Sequence, residues 1–372
     1  MNSRSRALDG LRGIAALAVI FYHAILHHEV LVGTVLVQPI QDFASSRNVI
    51  TKILLMIFNG HSAVMLFFVL SGFVLTLSLD RMKGTASDVL TRFVVRRAFR
   101  LYPALFVAMA FYWAMSVVYA TLGWYGFPAP DFLRAMTNAT LFDITWHGPS
   151  RTIQGEVLAI PFVLALFGLY RLVGVPALFV GLGYSIMAMT NPAMVLWAPN
   201  MMGWLLAFAA GMLLAQPGFA VVFAKVTTPG VVLLAIAFVA LRGFVPGSDN
   251  ATVVGITILA MALVGAIHYG NNAAVDRLLN RQAPQFLGRI SFSLYLLNVP
   301  FLLVAWSITD QFPWFTRHAW EAGLIVGSIV AAATVPLAWI VTRKVEEPLM
   351  DLGRTLTEKR TTPLLSTTAE PA

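Results

Sequence analysis

The chain is a succession of apolar runs, each of about twenty residues, separated by short charged stretches. A run of that length matches the hydrocarbon thickness of a bilayer when wound as a helix. Only 11% of the residues are charged and 58% are hydrophobic, whereas an ordinary soluble domain carries about a quarter charged residues. Too little polar surface remains to cover a water-soluble globule, so the chain reads as an integral membrane protein. A membrane β-barrel would instead show alternation over short strands. The expected fold class is therefore an all-α polytopic membrane protein.

The runs give about ten transmembrane helices, at 7–27, 61–80, 101–122, 153–171, 174–190, 200–216, 229–243, 251–269, 290–307 and 321–342. Boundaries are least distinct within 153–190 and 229–269, where Gly and Pro fall between runs. An even number places both termini on one side, and the basic residues choose it. With the termini cytoplasmic, 19 of the 25 Lys and Arg residues lie inside. The others, Arg47, Lys52, Arg134, Arg151, Arg242 and Arg317, fall outside, as the positive-inside rule requires. The net charge of +8 therefore reports topology and calls for no nucleic acid. Residues 1–348 form the membrane domain, and 349–372, polar and without helical periodicity, read as a disordered cytoplasmic tail. The first apolar run carries Arg12 and has no small-residue cleavage site behind it, which argues against a secretory signal peptide. Cys is absent, which removes disulfides, thiolate metal sites and cysteine nucleophiles.

Ionisable side chains inside a bilayer cost several kcal/mol unless they face a polar cavity, so those that persist mark candidate sites. Arg12 and His23 lie eleven residues apart in the first run, which on a helix is three turns plus about 20°, with a rise of about 16 Å. Both thus project from one face and bracket a path through the membrane. Snorkelling of Arg12 and an interfacial His23 are the plainer alternative. Glu156, near the start of the fourth run, needs a partner on another helix or a proton, and a His would suit it; a helix-start carboxylate favoured by the dipole is the alternative. His61, at the outer edge of the second run, reads as interfacial, and His268, at the inner end of the eighth, is the least informative.

In DVLTRFVVRRAFRLYP, Arg92, Arg96 and Arg100 recur every four residues and are joined by Arg97, with apolar residues interleaved. The pattern predicts an amphipathic helix at the cytoplasmic interface that leads into the third span at Pro103. Guanidinium forks bind phosphate bidentately, so the stretch suits either a polyanionic ligand or lipid phosphates. No HExxH or other zinc spacing, P-loop, GxGxxG or GxSxG occurs, and no metal is expected.

LDGLRGIAALAVIFYH, FFVLSGFVL, RRAFRLYP, ISFSLYLLNVP and EEPL, in this order, resemble the bacterial membrane acyltransferase family 3 over about residues 7–350. The resemblance implies a ten-span enzyme of the bacterial inner membrane. Such an enzyme moves an acyl group, commonly acetyl, from cytoplasmic acyl-CoA to a hydroxyl, with no metal. The acceptor it implies is a glycan or exopolysaccharide precursor, or alternatively a small molecule such as a macrolide.

Arg12 and His23 match the family's Arg-x10-His motif, and Arg97 and Arg100 its Arg-x-x-Arg motif. Glu156 falls where the family carries an acidic residue, although the preceding stretch here is Thr-Ile-Gln-Gly. Asn298 and Met65 depart from the pattern, standing where a His and a polar residue are common. On this basis Arg12, Arg96, Arg97 and Arg100 hold the CoA phosphates. His23, oriented by Glu156, is the general base, with an acyl-imidazole on His23 as the alternative to direct transfer. From another class, a glycan or lipid transporter lined by Arg12, His23 and Glu156 is the competing reading, though no inverted pair of broken helices supports it.

Overall fold

A computed structural model describes residues 3–29, 32–196, 198, 201–245 and 249–358. Among these residues the protein is all helical apart from loops and one isolated bridge between Thr227 and Asn271. Each apolar run coincides with a helix: α1 Ser3–His28, α2 Gly60–Arg81, α3 Ala86–Leu122, α4 Gly148–Val173, α5 Pro176–Ala188, α6 Met201–Leu214, α7 Thr228–Phe244, α8 Asn250–Tyr269, α9 Gln282–Thr309 and α10 Ala319–Val341. Seven described helical segments are long and apolar enough to cross a membrane. An eighth is possible through α6 and Pro217–Phe223, a pair bent by 85°, while α5 and α7 are apolar but shorter. Large apolar side chains stay exposed on the outside, among them Phe179, Leu233, Ile258 and Ile329, as expected of a surface solvated by lipid.

The ends of the helices follow from their sequences. Asn59 caps α2 by accepting from Ser62 N, and Thr85 with Asp88 forms a reciprocal capping box at α3. Gly123, at φ 65°, closes α3 in the left-handed region.

Within the bundle, α1 is central. Its Ala15 and Val19 belong to a core shared with α2, α6 and α8, while its Ala16, Ile20 and Ala24 belong to a second core with α3, α9 and α10. Small residues permit the closest crossings. A Cβ on Gly13 would run into the backbone of Leu287 and Gly288, and one on Gly288 into the backbone of Asp9. Gly72 of α2 and Gly211 of α6 fit each other's backbones in the same way. In lipid, where the hydrophobic effect does not press helices together, such close backbone packing holds them.

Two expectations need correction. Ala86–Leu122 is one continuous helix of 37 residues that contains Pro103, so no separate interfacial helix precedes the third span. At 1.5 Å per residue it measures about 55 Å and exceeds a bilayer core of about 30 Å, which leaves its first turns beyond the apolar layer. Residues 349–358, expected to be disordered, continue a helix, Glu347–Glu358, that packs on α3. Its inward face is Gly353 and Thr357, both buried. Gly353 lies against Phe99, and Thr357 Oγ1 accepts from Arg96 Nε at 3.0 Å. The remainder of the expected tail, 359–372, lies outside the described residues.

Candidate active site

The crossing of α1 and α9 at Gly13 and Gly288 determines where Arg12 goes. Its Nε donates to Ser291 Oγ at 3.0 Å and its Nη2 to Gly288 O at 3.2 Å, while Asp9, one turn earlier, pairs with it at 3.0 Å. Beside it, Arg97 of α3 is 6% exposed and its Nη2 meets Glu156 Oε2 of α4 at 2.5 Å. One helical turn of α3 further on stands Arg100, half-buried and electrostatically coupled to Arg12, Arg97 and Glu346. Among the described residues Arg100 has no hydrogen-bonding partner. It is the cation of this cluster that remains open to a ligand.

The carboxylate Glu346 completes the cluster. A π-helical turn over Thr342–Glu346 joins α10 to the last helix and shifts the side-chain register there. Glu346 thereby turns inward, 7% exposed, and accepts from Ser293 Oγ at 2.9 Å and Thr342 Oγ1 at 3.4 Å. Above it, Tyr295 and Thr152 share a hydroxyl hydrogen bond of 2.8 Å. Five helices therefore deliver polar groups to one level of the bundle.

His23 lies on the Arg12 face of α1, about 16 Å further along. Its side chain is exposed, it has no hydrogen-bonding partner among the described residues, and Tyr22 meets its ring edge-on at 5.5 Å. Tyr22 in turn lines a cleft with Lys52, Asn59 and Arg242, in which Lys52 Nζ donates to the carbonyls of Val35 and Leu36.

Between Arg12 and His23 the face is closed. Ala16 is 0% and Val19 2% exposed, each sealed into one of the two cores. The open path expected along this face is thus interrupted by packing.

Residues 5–343 match the model of the acyltransferase domain of acyltransferase family 3. The chain belongs to that family. Comparison with curated proteins and with solved structures found no match. The match spans the whole helical bundle from α1 to the π-helical turn, so this multi-pass membrane protein is an acyltransferase.

Seen in the acyltransferase, the candidate residues fall into two groups. Arg12, Arg97, Arg100 and Glu156 come together, while His23 stands apart. Glu156 is engaged by Arg97 rather than by His23. The reason is depth: Glu156 lies two turns inside α4, at the level of Arg12, to which it is electrostatically coupled. Arg96 points elsewhere, to Thr357 and to Glu358 at 3.3 Å on the last helix.

Ser291, Ser293, Tyr295 and Glu346 were not singled out by the sequence reading, although the motifs ISFSLYLLNVP and EEPL contain them. Their signal is the recurrence of hydroxyls within an apolar span and the acidic pair after it. Asn298 donates to the carbonyls of Leu294 and Tyr295, and its buried Oδ1 has no partner among the described residues. His147 is fully buried between Ser150 and the carbonyl of Leu296, a satisfied core histidine at the start of α4.

Proposed function

We propose that this acyltransferase moves an acyl group from cytoplasmic acyl-CoA to a hydroxyl of a glycan or exopolysaccharide precursor. In this reading ten spans cross a bacterial inner membrane with both termini in the cytoplasm. The basic residues of the segments around α1, α3 and α10 support that orientation.

The observation that carries the reading is the arrangement along α1: a cluster of guanidiniums with Arg100 unpaired at one level, and an exposed, unpartnered His23 on the same helix face about 16 Å away. Arg100 and the outward surface of Arg12 hold the donor's phosphates by charge-assisted hydrogen bonds. Arg97 and Glu156 brace one another and fix the helices that carry them, so Arg97 serves the site by holding α3, and with it Arg100, in place. The pantetheine arm spans the distance to His23. Since Ala16 and Val19 are sealed, helices next to α1 must part to admit it.

At the far end His23 takes the proton of the acceptor hydroxyl as its oxygen attacks the thioester carbonyl. The new C–O bond forms, the C–S bond breaks, and the proton passes from His23 to the departing thiolate, which leaves as free CoA. No described carboxylate bonds to His23, so the imidazole is aimed by its helix and by Tyr22 alone.

The test is purified protein incubated with labelled acetyl-CoA and a lipid extract that contains glycan precursors. CoA release that rises with added extract, together with label in the glycan fraction, supports the reading. Absence of both, from protein that remains folded, overturns it and favours transport.

A further inference from the structure

At the opposite end of the bundle from Arg12, His27 and His28 of α1 meet Asp310, which follows α9. One donor atom from each of these three residues lies within 4.8 Å of the others. We propose that His27, His28 and Asp310 form a binding site for one divalent transition-metal ion of the zinc class. Two imidazoles and one carboxylate, with a remaining position for water, are a donor set that suits such an ion. No metal is expected from the sequence because its ligands do not recur at short spacing: His27 and Asp310 are separated by 283 residues.

The distances are those of a site ready to close on an ion. His27 Nε2 lies 2.8 Å and His28 Nδ1 3.9 Å from Asp310 Oδ1. Donors each about 2.0–2.1 Å from a tetrahedral ion stand roughly 3.4 Å apart, so the observed values straddle the required one. Small tilts of the rings suffice.

The surroundings also hold the rings. His27 stacks flat on Trp306, with centroids 4.2 Å apart and planes 7° from parallel. His28 Nε2 bonds Thr309 Oγ1 at 3.1 Å, and that hydroxyl also reaches the carbonyl of Trp306 at 3.4 Å. With the hydroxyl donating to the carbonyl, Nε2–H of His28 is the donor to Thr309, which leaves the Nδ1 lone pair facing Asp310. Such an outer hydrogen bond on the second nitrogen is how metal-binding histidines are oriented. Access is open as well: the side chains of His27 and Asp310 are 28% and 54% exposed, while that of His28 is 2% exposed. A bound ion would clamp the last turn of α1 to the end of α9. His27 lies one turn beyond His23 on the same face, so the clamp would stiffen the helix end that carries His23.

The test uses the full-length protein purified in detergent through a tag without histidine and stripped with a chelator. Zinc is then titrated calorimetrically and counted by mass spectrometry. The expected result is one zinc per chain, with affinity lowered about tenfold or more in Asp310→Asn and in His27→Gln. Both positions are at least partly exposed, so these variants should fold, which an unchanged elution profile verifies. Thr309→Val, which keeps all three ligands, should weaken binding by about tenfold through loss of the outer hydrogen bond. Absence of zinc binding by the native protein, or binding unchanged in Asp310→Asn and His27→Gln, overturns the proposal and leaves an ordinary His27–Asp310 ion pair.

Discussion

The Arg97–Glu156 pair gives a prediction in which the sign of the double variant matters more than the size of either single effect. The two side chains are 5% and 14% exposed and meet at 2.5 Å. Arg97 Nε is buried without a partner, so Glu156 is the only hydrogen-bond acceptor of Arg97 among the described residues. Removing one member leaves the other as an uncompensated charge at low dielectric, which costs about 3–5 kcal/mol. Arg97→Met and Glu156→Leu should each lose that amount. Combining them removes both charges, and apolar replacement of a buried pair is often close to neutral. The double variant should therefore lie within about 2 kcal/mol of the native protein, which is a coupling of several kcal/mol. For a chain of this size 1 kcal/mol corresponds to about 2 °C in Tm, so each single variant should melt roughly 6–10 °C lower and the double variant only a few degrees lower. Thermal unfolding in detergent, followed by tryptophan fluorescence, measures this. Losses in the double variant equal to the sum of the singles would refute the claim that the two groups compensate each other.

Further outcomes follow from the same geometry. Arg100→Ala should raise KM for the acyl donor by about ten- to a hundredfold with kcat little changed, since a hydrogen bond to a charged group contributes about 1.5–3 kcal/mol; steady-state kinetics with unchanged KM would exclude a phosphate contact. Gly211→Val should destabilise the fold by about 1–3 kcal/mol because its side chain meets the backbone of Val69 and Phe73, whereas Gly183→Ala, with open space around it, should be neutral or slightly stabilising in the same melting assay. Deletion of residues 350–372 removes the contacts of Gly353 and Thr357 with α3 and should cost about 1–2 kcal/mol; an unchanged Tm would show that this helix contributes nothing.

The parts of the fold that were legible in the sequence are those set by hydrophobic length. All ten apolar runs are helices, and the break between 171 and 174 falls at Gly174, whose φ is 78°. What escaped was structure whose buried face is not apolar. The last helix packs through Gly353 and Thr357 and leaves Leu352 and Leu356 exposed, so its few apolar side chains mark no buried face, and it reads as a polar tail. Pro103 suggested a boundary, yet the tertiary packing of Leu101, Ala104 and Leu105 holds α3 continuous across it.

At the site, the shared face of Arg12 and His23 followed from helical spacing alone. Closure of that face at Ala16 and Val19 did not, because it depends on what α2, α3, α9 and α10 bring against it. Glu156 was assigned to the wrong partner for a similar reason. Its chemistry called for a counterpart on another helix, and only the packing of α4 beside α3 decides between His23 and Arg97. Glu346 was hidden by a π-helical turn, since a regular helix would have placed that side chain on a different face.

The proposed transfer turns on His23 accepting the proton of the attacking hydroxyl. It is tested most directly by comparing native protein with His23→Gln in the transfer of labelled acetyl from acetyl-CoA to a glycan-precursor extract. The variant should insert, elute and melt like the native protein, because the exposed His23 has no hydrogen bond among the described residues to lose. Its transfer rate should fall by about two to four orders of magnitude, the usual contribution of a general base. Transfer by His23→Gln at the native rate would contradict it.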